Sequence, residues 1–455
     1  MSRASPRIGA RAPAWSAAAW MIACSLAAWM VACSLLVGAP ASASEPTAIV
    51  RSALDLACAV RSRNDLSHLG NRLLGGRPSG PPTMSYLTWG RRWVYQLEGG
   101  RLTLDWVTPR NQLPQLRAQY DGGGGTRPEV LAIVDHRCAL RAARRLHYDS
   151  HGVAAWLEEL DEALEPNGHR HPLNPPVPAH ADPGGLPVAL VDTGVNYLLP
   201  EINSRLARDP DGLLVGYDFW DLDQRPFDVH PLRSVFFPDH HGTATASIVL
   251  SEAPMVRLLP YRYPRPDMTR LGALIEHAAS HGARLVNLSL ASFDRAEWRA
   301  FEQAAARHPE ILFVVAAGNN NRDIDRRPVY PAALALDNLI AVTAARADGH
   351  LARGVNWGPR AVDLMVETDG IVALRFDGYE TPVSGSSYAT ARITALAACL
   401  LAAHPGWTVA ALRARIFEWA QPPGAAGYVA QGFIADPTAS NRGACLGGPP
   451  RSGGV

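Results

Sequence analysis

From residue 186 onward the chain repeats one pattern: a short uninterrupted apolar run, then a stretch with helical periodicity. The strand-like runs are 187–191, 256–261, 285–290, 311–317 and 339–343. The helix-like stretches are 243–251, 268–281, 295–307, 388–403 and 408–419. Apolar runs without polar alternation imply strands buried on both faces. Their alternation with helices implies parallel strands joined by crossover helices. The expected fold is therefore α/β, a mostly parallel sheet flanked by helices in three layers. Chemistry in such sheets gathers at the carboxyl ends of the strands.

Residues 44–165 read differently, as a smaller α+β N-terminal domain. A helix-like stretch (47–60) precedes two strand-like runs, 92–97 and 101–107, which Gly99-Gly100 joins as a hairpin. Another strand is expected at 130–134 and a helix with outward acidic residues at 153–164. Residues 166–185, rich in proline, glycine and histidine, are expected to be a linker. His169, His171 and His180 lie there without a carboxylate or cysteine placed to complete a metal site. The larger remaining domain is 186–441, followed by a flexible tail at 442–455.

The amino terminus has the features of a signal peptide, residues 1–43. Arg3, Arg7 and Arg11 precede an uncharged apolar run at 14–38, and Ala41-Ser42-Ala43 fits a cleavage site. Export to the periplasm or medium is expected. The rival is an uncleaved membrane anchor, since the run is long enough to span a bilayer. Beyond this segment remain Cys58, Cys138, Cys399 and Cys445. Four cysteines allow three pairings. Domain boundaries favour Cys58–Cys138 and Cys399–Cys445, with Cys399 as a buried thiol the alternative.

Composition narrows the chemistry. All 43 residues in the Lys+Arg count are arginine. Without lysine there is no pyridoxal Schiff base, no Ser-Lys dyad, no Walker A loop and no kinase lysine. A formal net charge of +1, with no basic stripe, argues against a nucleic-acid partner.

Four segments at strand ends or helix starts carry reactive groups. Asp192-Thr193-Gly194 follows the first strand, and His241-Gly242-Thr243 opens a helix of small residues. Gly318-Asn319 ends the strand at 311–317, placing an amide dipole where an oxyanion could form. Gly385-Ser386-Ser387-Tyr388-Ala389 leads into the longest apolar helix, with Ser387 at its positive end. Taken singly, each has a plain structural use as a turn former or helix cap. Chain order discriminates. An α/β-hydrolase needs an acid and then a histidine after its serine, but no Asp or Glu lies between Ser387 and His404.

In this order the segments resemble the subtilisin-like serine peptidases, the subtilases, over residues 186–440 or so. Further similarities are Tyr217-Asp218-Phe219 with Asp223, Pro226 and Asp228, then Asn287-Leu288-Ser289-Leu290, Tyr330-Pro331-Ala332, Asn356-Trp357-Gly358 and His404-Pro405-Gly406. The resemblance implies a subtilisin-like fold and a serine endopeptidase acting on protein or peptide substrates. It implies Asp192, His241 and Ser387 as the catalytic triad and Asn319 as the oxyanion donor. Ser289, Leu290, Ala291 and Gly318 would line the substrate. No cofactor is required for catalysis. Structural calcium is common in the family, and Asp218, Asp221, Asp223 and Asp228 offer oxygens, though solvated loop carboxylates read the same way. Departures are Ser386 for threonine, Ala391 for proline, Ala244 for a second histidine and Ala291 for glycine. They motivate one alternative: an inactive subtilase fold kept as a binding or regulatory module.

Overall fold

The computed structural model describes residues 45–60, 66–73, 78–108, 113–231, 234–421 and 427–438. The signal segment, Cys445 and the expected tail lie outside the described residues. The described residues divide into two compact units, 45–127 with 134–139, and 128–133 with 140–438. The division thus falls ahead of the expected boundary at 165.

In the first unit, α1 (Pro46–Ala59) starts at a proline whose missing N–H costs a helix start nothing. Strands β1 (Thr83–Leu87), β2 (Gly90–Leu97), β3 (Gly100–Val107) and β4 (Gln115–Gly122) form an antiparallel meander. The expected hairpin is β2–β3, with Trp93 opposite Leu104 and Tyr95 opposite Leu102. These four side chains are buried, as are Ile49, Val50, Ala53 and Leu54 of α1, which packs on β4. A disulfide joins Cys58 to Cys138 within this unit. Cys399 is also disulfide-bonded, while its expected partner Cys445 is not among the described residues.

Strand β5 (Arg127–Asp135) contributes to both units. In the second, β6 (Leu140–Tyr148), β7 (Ala154–Leu160) and β8 (Pro166–Pro172) are antiparallel neighbours. Two expectations change here. Residues 153–164, which read as a helix, are mainly β7, and the adjacent Glu158 and Glu159 pair with cations across the strands. Glu159 lies opposite Arg144, and Glu158 pairs with His147 and Arg170. The linker begins after Pro172 rather than at Pro166, because β8 pairs with β7 through Arg170 and His171. A strand of polar, proline-flanked residues has no apolar alternation to announce it.

The main sheet follows the expected pattern. Its strands are β9 (Leu186–Asp192), β10 (Tyr217–Asp218), β11 (Val256–Arg262), β12 (Leu285–Leu288), β13 (Leu312–Ala316), β14 (Leu339–Ala345), β15 (Leu364–Glu367) and, after the small β16 (Ile371–Leu374) and β17 (Glu380–Val383) hairpin, β18 (Gly432–Ile434). The order is β10-β11-β9-β12-β13-β14-β15-β18, parallel throughout. Helices α2 (Gly242–Glu252), α3 (Leu271–Ser280), α4 (Arg299–Arg307), α5 (Ser386–Ala403) and α6 (Val409–Phe417) flank it. Alternate residues of β9 enter different cores. Val188 and Leu190 pack with α2 and α5, whereas Ala189 and Val191 pack with α3 and α4. That two-sided burial is why the strands read as continuous apolar runs. Among the described residues, α5 alone is long and apolar enough to cross a membrane. It is the central core helix, and every residue of its second and third turns is buried.

Candidate active site

Strands β9, β12 and β13 are adjacent and in register, so their carboxyl ends come together. Leu288 pairs with Val191 on one side and Val315 on the other. Asp192 is the last residue of β9, and its side chain is fully buried. Its Oδ1 lies 2.7 Å from His241 Nδ1. The same oxygen accepts the Thr193 N–H at 2.8 Å, and Oδ2 accepts the Thr245 hydroxyl at 2.9 Å. A carboxylate so held makes Nδ1 the protonated nitrogen of neutral His241 and leaves Nε2 as a proton acceptor.

His241 is the N-cap of α2, and the helix start sits very close to the Asp192 turn. A Cβ on Gly242 would lie 1.9 Å from the Gly194 carbonyl oxygen, so only glycine permits this approach. Asp228, fully buried, secures the same junction. Its Oδ1 accepts the His241 N–H (3.0 Å) and the Thr193 hydroxyl (2.5 Å). Its Oδ2 accepts the Thr243 N–H (2.9 Å) and hydroxyl (2.5 Å). These amides are donors a helix start leaves without intrahelical partners. Burial pulls the His241 imidazole down, but the charge and hydrogen bond of Asp192, helped by Asp228, hold it above the ordinary histidine value.

Ser387 is the second residue of α5, 6% exposed. Its N–H lies in the first helical turn, where no intrahelical acceptor exists. Helices α2 and α5 pack together, and the ring of the next residue, Tyr388, lies 5.9 Å from the His241 ring. Burial, then the charges of Asp192 and Asp228, raise the Tyr388 phenol.

Asn319 follows β13 at the same edge. Its Oδ1 accepts both the Ser386 N–H and the Ser386 hydroxyl, each at 3.0 Å. An obligate N–H donor at that oxygen fixes the amide's orientation and leaves Nδ2 as the outward donor. Ser386 Oγ in turn accepts the Gly318 N–H at 3.1 Å. Gly318 has φ 96°, and a Cβ there would meet Asn356 Nδ2 at 2.6 Å. Asn356 ties the turn together, accepting from the Asn320 and Arg322 amides and donating to the Ala317 carbonyl. Ser289, Leu290 and Ala291 continue from β12. Ser289 Oγ reaches the Ser387 carbonyl at 3.5 Å, and Ala291 is exposed.

Every expected site residue therefore lies at one edge of the sheet. The carboxylates offered for calcium do not fit a cation. Asp218 and Asp221 both pair with Arg262, Asp223 accepts from Asn174 and the Arg225 amide, and Asp228 is committed to α2. Burial, against the pull of Arg262, pushes Asp218 up to about 6. Residue-by-residue reading missed the part played by Asp228 and Ser386. Both were visible, one as a calcium option and one as a departure from the family motif, but their partners come from distant segments.

The fold is a parallel α/β scaffold whose reactive side chains gather at the carboxyl edge of its sheet. A model of the Subtilase family matches residues 184–440, and the chain belongs to that family. It is 30% identical over 234 residues to "Thermophilic serine proteinase" of Bacillus sp. (strain AK1), covering 48% of this chain and 52% of the relative. It is 27% identical over 231 residues to "Halolysin" of Haloferax mediterranei, covering 48% and 41%. The alignments thus span about half the length of these relatives. A crystal structure of a cold adapted subtilisin-like serine proteinase aligns with a TM-score of 0.46 at 22% identity, over 58% of this chain and 93% of that one.

Proposed function

We propose that the protein is an exported serine endopeptidase that hydrolyses peptide bonds through an acyl-enzyme. The observation that carries this reading is the 2.7 Å contact between buried Asp192 and His241, at the sheet edge shared by Ser387 and Asn319. In this mechanism His241 Nε2 takes the proton of the Ser387 hydroxyl as its oxygen attacks the carbonyl carbon. The oxyanion is held by Asn319 Nδ2 and the Ser387 N–H. Asp192 stabilises the imidazolium, which then protonates the leaving amine. Water repeats the sequence to release the acid. The chain's lack of lysine leaves His241 as the placed base.

Substrates would be proteins or peptides, their backbone running along Ser289–Leu290–Ala291 and Gly318. The Cys58–Cys138 disulfide supports an oxidising compartment, and one relative is named an extracellular serine protease, from Natrialba magadii. The inactive-module alternative draws no support from the site, since each departure leaves Asp192, His241, Asn319 and Ser387 in place. Purified protein should label with a fluorophosphonate and cleave casein, and Ser387→Ala should do neither. Labelling that survives the substitution would sink the assignment.

A further inference from the structure

Within the second unit, β6–β8 share a core with the parallel sheet. Leu131, Leu146, Leu157 and Leu173 are buried in one cluster with Val188, Leu190, Phe227 and Phe236. Arg144 of β6 donates to the Phe236 carbonyl at 2.9 Å, and its guanidinium lies 4.6 Å over the Phe237 ring. Its other arm is held by Glu159 at 3.1 Å. Phe236 is fully buried and lies in the segment leading to His241. That segment then closes as a two-way backbone pair between His230 and Asp239 (2.9 and 3.1 Å), after which the His241 N–H reaches Asp228. Strand β6 therefore grips the loop that ends in the proposed base.

The connection from β8 to β9 is tied along its length. Asn174 donates to Asp223 at 2.7 Å, and the Tyr197 hydroxyl donates to the Pro175 carbonyl at 2.7 Å. Further on, Arg208 donates to the Pro178 carbonyl at 3.1 Å. Asp182 accepts the Arg208 N–H and pairs with Arg257, each at 2.9 Å. The connection is thus held at four points, although residues 179–183 within it are exposed. Losing β6–β8 would uncover the apolar side chains they cover, a patch that soluble proteins avoid.

We propose that β6–β8 stay on the mature protein as a structural layer of the peptidase, and that Arg144 is a positioning residue for the His241 loop. Retention stands on packing alone, whereas the Arg144 role rests on the peptidase reading. Wild type and Ser387→Ala, each expressed as the full chain, would be purified after export, sequenced from the amino terminus, weighed intact and treated with a fluorophosphonate. Retention predicts that the labelled protein carries residues 140–172, covalently or as a co-purifying fragment. An active, labelled protein lacking them would overturn it. Failure of wild type to label would defeat the peptidase reading, while the masses would still decide retention. For Arg144, displacement of the base loop should lower kcat about tenfold or more with little change in KM. The expectation is that Arg144→Ala shows this loss and Arg144→Lys, which keeps a donor for the Phe236 carbonyl, recovers most of it. Unchanged kcat in Arg144→Ala, or an Arg144→Lys protein that folds yet recovers nothing, would overturn the positioning role.

Discussion

The Ser386 hydroxyl donates to Asn319 Oδ1 at 3.0 Å while accepting the Gly318 N–H at 3.1 Å. One fully buried side chain thus orients the amide proposed to bind the oxyanion and pins the turn that presents it. Ser386→Ala keeps the backbone donor to Asn319 but removes both hydroxyl bonds. The expected result is a fall in kcat of about tenfold, below the 10²–10³ typical of losing the oxyanion donor itself, with KM little changed. Ser386→Thr keeps the hydroxyl and should stay near wild type. Steady-state kinetics on a peptide substrate would check both, and an Ala variant with wild-type kcat would exclude the orienting role.

The charge of Asp192 sets a pH dependence. Burial alone would lower His241, and the carboxylate reverses that. In the proposed mechanism the neutral imidazole is the base, so the acidic limb of the rate profile should lie above the ordinary histidine range. Asp192→Asn removes the raising charge, so the limb should move to lower pH. The maximal rate should fall by about 10⁴, since an amide can favour the wrong imidazole tautomer. A limb that stays in place would show that Asp192 does not control the base.

Much of this was legible in the sequence for a simple physical reason. A strand buried on both faces must be apolar throughout, so β9, β11, β12, β13 and β14 announce themselves, and the residues closing them mark the chemical edge. Shorter or polar strands carry no such signal. Gly432–Ile434 has three residues, and β8 is held by His171 and Arg170 to glutamates rather than by apolar burial. The acidic run in β7 imitated an exposed helix face because its partners, Arg144 and His147, lie across a neighbouring strand. Asp228 was open to two readings for the same reason. A carboxylate's role depends on which donors the fold brings to it.

Those donors make Asp228 testable. Its two oxygens accept four hydrogen bonds from Thr193, His241 and Thr243. Asn at this position would turn an NH₂ toward one backbone N–H and one hydroxyl, leaving at least the buried N–H unmatched at a cost of about 1–3 kcal/mol. Asp228→Asn should therefore lower the thermal midpoint clearly. It should also shift the acidic limb downward, though less than Asp192→Asn, because Asp228 is the lesser of the two charges acting on His241. A midpoint equal to wild type would contradict the anchoring of α2.

A second pH effect arises behind the site, where α2 ends. Glu252 accepts from the buried Arg392 of α5 at 2.8 Å, and Arg392 also reaches the Glu367 carbonyl and Asp436. Burial outweighs this pairing and pushes Glu252 from 4.5 up to about 6. The folded state then holds a proton that the unfolded chain releases earlier. The associated stability is complete below about pH 4.5 and is lost as pH rises through about 6. Asp218, also pushed up to about 6 by burial, adds to the same decline. Glu252→Gln carries no ionisable proton, so its difference from wild type should change by about 2 kcal/mol between these pH values. Thermal melts of the Ser387→Ala background, which prevents self-digestion, would measure it. Parallel stability curves for the two proteins across that window would show that Glu252 titrates as an ordinary exposed carboxylate.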